Sequence, residues 1–92
     1  MDSERAAFRF VVRGRVQGVG VRRSAQQEAL RLRLAGWVAN TAAGDVEGAA
    51  EGDPAALKAF ASWLAHGPRL AGVAGVTREP AAPAGARRFE IR

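Results

Sequence analysis

The chain has 92 residues, 48% of them apolar and 25% charged, with a formal net charge of +5. That is enough for one hydrophobic core and one domain over residues 1–92, and the composition is that of a globule, not of a disordered segment. The absence of cysteine removes disulfides, thiolate nucleophiles and cysteine metal sites, and one histidine, His66, is too little for a zinc cluster or a catalytic triad.

Residues 8–12 alternate Phe8, Phe10 and Val12 with Arg9 and Val11, the period of a strand. Glycines 14, 18 and 20 then forbid regular structure. Over residues 21–32 the period changes: Val21, Ala25, Ala29 and Leu32 form one helical stripe, with Arg22, Arg23, Gln26, Gln27 and Arg31 around the rest. Residues 36–40 read as a second strand and Thr41-Ala42-Ala43-Gly44 as a turn. Residues 45–51 return as the third strand of a hairpin, although Gly48, Ala49 and Ala50 have poor strand propensity. Asp53-Pro54 starts a second helix, with a side-chain cap followed by proline at the first helical position. Leu57, Phe60, Ala61 and Leu64 are its core stripe, and Gly67-Pro68 ends it.

Residues 70–78 predict a fourth strand, in which Val73 and Val76 share a face only if a bulge falls near Ala74-Gly75. Residues 80–85 read as a loop, and residues 87–92 as a short closing strand with Phe89 and Ile91 inward. The β-α-β-β-α-β order with a short terminal strand predicts an α+β fold. Its arrangement is a ferredoxin-like split β-α-β sandwich, a largely antiparallel sheet with two helices on one face. No apolar run reaches the length of a membrane span, and Met1-Asp2-Ser3-Glu4-Arg5 does not open a signal peptide, so residence in the cytoplasm is expected.

The chemistry concentrates between Gly14 and Arg22. Glycines at 14, 18 and 20 let successive backbone N–H groups point inward as an anion-binding nest, to which the following helix adds its positive end. Arg22, at the helix start, offers a permanent charge and a planar donor fork suited to phosphate oxygens. The spacing is neither a nucleotide P-loop nor a dinucleotide fingerprint, and a tight turn ringed by solvated arginines accounts for the same residues. Thirteen arginines against the lone Lys58 favour anionic partners, but a GC-rich coding bias gives the same excess.

The full string Gly14-Arg15-Val16-Gln17-Gly18-Val19-Gly20-Val21-Arg22 resembles the signature G-x-V-Q-G-V-x-F-R of the acylphosphatase family. Gly36-Trp37-Val38-Ala39-Asn40 resembles that family's second motif, G-W-V-x-N, at the expected distance. The likeness runs over residues 8–92. It implies hydrolysis of acyl phosphates to carboxylate and inorganic phosphate, without metal or cofactor. It also implies that Arg22 binds phosphate and Asn40 orients the attacking water, with Arg15, Val16, Gln17, Gly18, Val19 and Gly20 as the phosphate-binding loop. An acyl phosphate suits this residue set, because its carboxylate leaves without protonation and charge spreads over oxygens that N–H groups can hold.

Three positions depart from the family's pattern: Val21 replaces an aromatic, Arg33 the glycine common after the first helix, and Ala43-Gly44 an Asp-Gly turn. Arg23 is an additional charge beside the site. Arg13, Arg15 and Arg23 read as a solvated rim, Trp37 and Trp63 as core or core-rim, and His66 as a helix-end partner.

Two other readings stay open. Ferredoxin-like sheets with basic charge occur in RNA-binding domains, yet Trp37 is the only aromatic on the second strand and the RNP1 pattern is absent, so nucleic acid is not expected. A carbamoyl-phosphate-handling domain of acylphosphatase type, fused within larger proteins, is the other. The expected partners are a small acyl phosphate and inorganic phosphate, with no membrane, and the expected state is a monomer.

Overall fold

A computed structural model describes residues 4–18, 20–67 and 71–92. The expectations placed on Val19, Pro68 and Leu70 lie outside the described residues. The elements are β1 (Ala6–Arg15), α1 (Val21–Arg31), β2 (Ala35–Asn40), β3 (Val46–Gly52), α2 (Pro54–His66), β4 (Gly72–Ala81) and β5 (Phe89–Ile91).

The sheet order is β4-β1-β3-β2-β5. β1 runs antiparallel to β3 and β4, and β2 antiparallel to β3, so β1 and β2 flank β3 in the split βαβ manner. The fold is ferredoxin-like. β5 alone departs from an antiparallel sheet, lying parallel to β2 with Phe89 beside Gly36 and Ile91 beside Val38.

Alternation within the strands decides which face is covered. Phe8, Phe10, Val12, Val38, Val46, Ala50 and Phe89 join Val21, Ala25 and Ala29 of α1 and Leu57, Phe60 and Leu64 of α2 in one core. Phe60 is its hub, with ring centroids 5.9 to 6.4 Å from Phe8, Phe10, Phe89 and Trp63. β3 forms despite its small residues because their size is what the packing needs: a Cβ on Gly48 would lie 2.5 Å from the Phe10 ring. Tertiary packing overrides propensity here.

Several boundaries shift from the sequence reading. β1 continues through Gly14 to Arg15, because the bulge expected near Ala74 is real. Arg13 pairs with Gly75 but Gly14 with Val73, leaving Ala74 as the extra residue. Both Val73 and Val76 then pack against the core. Pro80 was expected in a loop, yet it continues β4. It can do so because β4 is an edge strand, where a missing N–H costs no ladder bond. Ile91, expected inward, is 40% exposed, because its strand runs past the cover that α1 provides.

The second helix starts on its sequence signal, while the first ends without the glycine its last turn favours. The Asp53 carboxylate accepts from the amides of Ala55 and Ala56 at 3.1 and 3.3 Å ahead of α2. α1 ends in a Schellman motif: Leu34 N–H donates to Ala29 O, and Arg33 N–H to Leu30 O. That motif requires a left-handed residue at position 33, and Arg33 adopts it at φ 60°.

Candidate active site

The two glycine classes in the first motif do different work. Gly14 is a packing glycine, since a Cβ there would meet Gly72 O at 2.2 Å and the Ala74 amide nitrogen at 2.6 Å. It belongs to the strand and its bulge, not to the anion nest. Gly18 and Gly20 face open space and are left-handed, at φ 79° and 78°. Their role is conformational: each adopts a left-handed backbone that glycine reaches at no steric cost.

Gly20 is also the N-cap of α1 and offers no capping side chain, and the first turn carries no acid. Ser24 N–H is bonded to Gly20 O, so the amides of residues 21–23 precede the first intrahelical bond. An uncapped positive helix end therefore faces the same space as the loop. Arg22 is half-buried there, its Nη1 donating to the main-chain oxygen of Arg92 at 3.1 Å. One turn on, Gln26 Nε2 donates to Phe89 O at 2.9 Å, so the same helix that presents Arg22 also braces β5.

Asn40 is the last residue of β2, on the strand face shared with buried Val38. It comes beside Arg22 because β2 is the crossover partner of β1 and its far end meets the start of α1. Val16, Gly18, Gly20, Val21, Arg22, Arg23, Asn40 and Ile91 enclose a cavity of about 180 Å³. Among the described residues no acidic side chain lines it. A larger groove of about 810 Å³ lies between α2 and the β1–β4 edge, lined by Leu57, Ala61, Val76 and Pro80 among others, but it contains neither Arg22 nor Asn40. The larger groove has donors of its own in Lys58, Ser62 and Arg78, but Arg22, Asn40 and the start of α1 converge on the smaller cavity.

Of the residues expected at the site, the structure brings together Arg22, Asn40, Val16, Gly18 and Gly20. Arg15 and Gln17 do not line the cavity. Arg15 is strand, paired with Gly72, and the Gln17 amide is spent on Thr41 O and Asp45 O. The sequence reading missed Val21 and Ile91 as lining residues, and left Arg23 as rim. Ile91 had no signal to find it by, because alternation with Phe89 points it at the core and only the length of α1 leaves it uncovered. Trp37 lies half-buried on the sheet face away from the helices, with the Arg9 and Arg92 guanidinium carbons 5.8 and 4.8 Å from its ring centroid. His66 bonds Ser62 O through Nδ1 within the last turn of α2, away from the cavity.

The chain is thus an α+β domain of ferredoxin-like build, with an arginine-bearing cavity where a glycine loop meets the first helix. Residues 8–91 match the family model for acylphosphatases. The chain is 47% identical over 91 residues to an acylphosphatase of Anaeromyxobacter dehalogenans, covering 98% of each chain. Among solved structures, the acylphosphatase of Coxiella burnetii superposes with TM-score 0.92 at 35% identity, over 96% of this chain and 93% of that one. The acylphosphatase of Bacillus subtilis does so with TM-score 0.91 at 39% identity, over 95% and 98%. The chain belongs to the acylphosphatase family, the hydrolases of acyl phosphates.

Proposed function

We propose that the chain cleaves the carboxyl–phosphate bond by direct in-line attack of water, without metal. Arg22 and the main-chain amides of the loop at Val16, Gly18 and Gly20 hold the phosphoryl group, and Asn40 orients the water. The water oxygen bonds to phosphorus as the bond to the carboxylate oxygen breaks. The carboxylate leaves with the bonding pair, and the water proton passes to phosphate oxygen or solvent. The observation that carries this reading is the convergence of Arg22, Asn40 and an uncapped helix start on one cavity with no acidic side chain among its described lining residues. Donors fixed where charge develops need no strong acid when the leaving group is a carboxylate. Asn40 has an amide oxygen to accept from water and an NH₂ to bond elsewhere. Among the described residues no three of His, Cys, Asp and Glu converge into a metal-ligand group, which supports the metal-free form of the reading.

The test is benzoyl phosphate hydrolysis with inhibition by inorganic phosphate, with and without chelator. Activity should survive chelator. Arg22→Ala should weaken phosphate inhibition as well as turnover, and Arg22→Lys should not restore both, since a point charge lacks the planar fork. Asn40→Ala should lower turnover by roughly 10²-fold while phosphate inhibition stays nearly unchanged. Chelator-sensitive turnover restored by Mg²⁺, or an Asn40→Ala variant that loses phosphate as badly as Arg22→Ala, refutes it.

A further inference from the structure

The Gln17 side chain stands outside the cavity and yet joins the two segments that build it. Its Nε2 donates to Thr41 O and to Asp45 O, both at 2.9 Å, across 24 and 28 residues of sequence. A primary amide nitrogen has two hydrogens, so both are spent and none is left for a phosphate oxygen. The turn it grips is already closed on itself. Thr41 N–H donates to Asp45 O at 2.8 Å, Gly44 N–H to Thr41 O at 3.2 Å, and Asp45 N–H to Thr41 Oγ1 at 3.1 Å. Gln17 is thus not needed to form the turn. What it adds is the position of that turn relative to the loop.

That position matters because Thr41 follows Asn40 directly. The Asn40 side chain is exposed and makes no hydrogen bond among the described residues, so its aim is set by its backbone alone. On the strand side the pairing of Asn40 with Val46 holds it, and on the turn side the Gln17–Thr41 bond does. The loop has other anchors around Gln17: Val16 is 1% exposed in the core, and Gly20 opens α1. Losing the clamp should therefore move the turn more than the cradle.

We propose that Gln17 is a positioning residue that fixes Asn40 against the phosphate loop through the Thr41–Asp45 pair; this rests on the water-orienting role read for Asn40 above. A misplacement of about 1 Å at a reacting group can cost 10²-fold in rate, and a partly held turn should cost less than that. Gln17→Met keeps length and volume but cannot donate. It should lower turnover of benzoyl phosphate by about tenfold, with phosphate inhibition changed less than about twofold. Placed on the Asn40→Ala background, the same substitution should change turnover by less than about twofold, because a residue acting through Asn40 has nothing left to position.

Gln17→Glu, whose ionised carboxylate faces two carbonyl oxygens, is the second variant and should lose at least as much turnover. Both are assayed where circular dichroism shows the native fold. The proposal is overturned if Gln17→Met slows the parent and the Asn40→Ala background by equal factors, if phosphate inhibition weakens in step with turnover, or if both variants match the parent. Normal turnover by Asn40→Ala alone would instead remove the role of Asn40, and the positioning proposal with it.

Discussion

Arg33 is the only non-glycine residue with positive φ among those described. It sits at the C′ position of α1, where the two Schellman bonds to Ala29 O and Leu30 O admit no other backbone. A side chain in that region costs about 1–2 kcal/mol, and glycine removes the cost while giving back some chain entropy. The Arg33 side chain is exposed and makes no hydrogen bond among the described residues, so little is lost with it. Arg33→Gly should therefore stabilise the fold by about 0.5–1 kcal/mol, raising Tm by roughly 2–8 °C. Unchanged or lower stability in thermal unfolding would show that the helix end pays no conformational penalty. The sequence alone flagged this position as a departure but could not say whether the backbone avoided the strain, since that depends on the packing of Leu34 into the core.

At the scale of elements, β1 and β4 are held in register by a bulge that requires glycine at one point. Gly14 is at φ 124° and in contact distance of the β4 backbone on its Cβ side. Gly14→Ala must push β4 away or rotate the strand, and neither moves as easily as a side chain. A cost of about 2–4 kcal/mol in urea unfolding is expected, combining backbone strain with lost packing along the pair. A variant within about 0.5 kcal/mol of the parent would mean the strands slip freely there. The same bulge shows what was legible and what was not. Spacing of Val73 and Val76 was enough to predict an irregularity opposite β1, because two apolar residues three apart cannot share a strand face. It was not enough to show that Gly14 was the partner, so that glycine was grouped with the loop. The same glycine spacing also groups Gly18 and Gly20 with the loop, and these two are left-handed with open space on the Cβ side. The parallel pairing of β5 with β2 and the exposure of Ile91 are set by contacts far away in sequence. No local pattern in residues 87–92 encodes that.

For the whole molecule, the feature that ties distant parts together is the one buried carboxylate among the described residues. Glu51, on β3, is 4% exposed. Its oxygens accept from Arg5 Nη2 at 2.9 Å, Ala84 N–H at 2.9 Å and Gly85 N–H at 3.0 Å, joining the segment before β1, the third strand and the β4–β5 connection. Burial alone would raise the Glu51 carboxyl, but the Arg5 guanidinium and the amides of Ala84, Ala86 and Gly85 outweigh it and hold the group below the ordinary carboxylate value. The unfolded chain then binds the proton more readily than the folded one. Stability from this latch is full above about pH 5. It is lost progressively as pH falls through the unfolded value of about 4.3 and the lower folded value. The molecule already carries a formal +5, so protonating its remaining acids adds repulsion in the same range. Glu51→Gln separates the two effects. It leaves donors facing an amide that can accept at only one oxygen, and should cost about 1–3 kcal/mol at pH 7. General repulsion should survive in this variant while the latch term vanishes. Its stability should therefore fall less steeply than the parent's between pH 5 and 3, measured by urea unfolding at each pH. Parallel losses in the two proteins would assign acid sensitivity to net charge, and leave Glu51 as a neutral fastener of the loop.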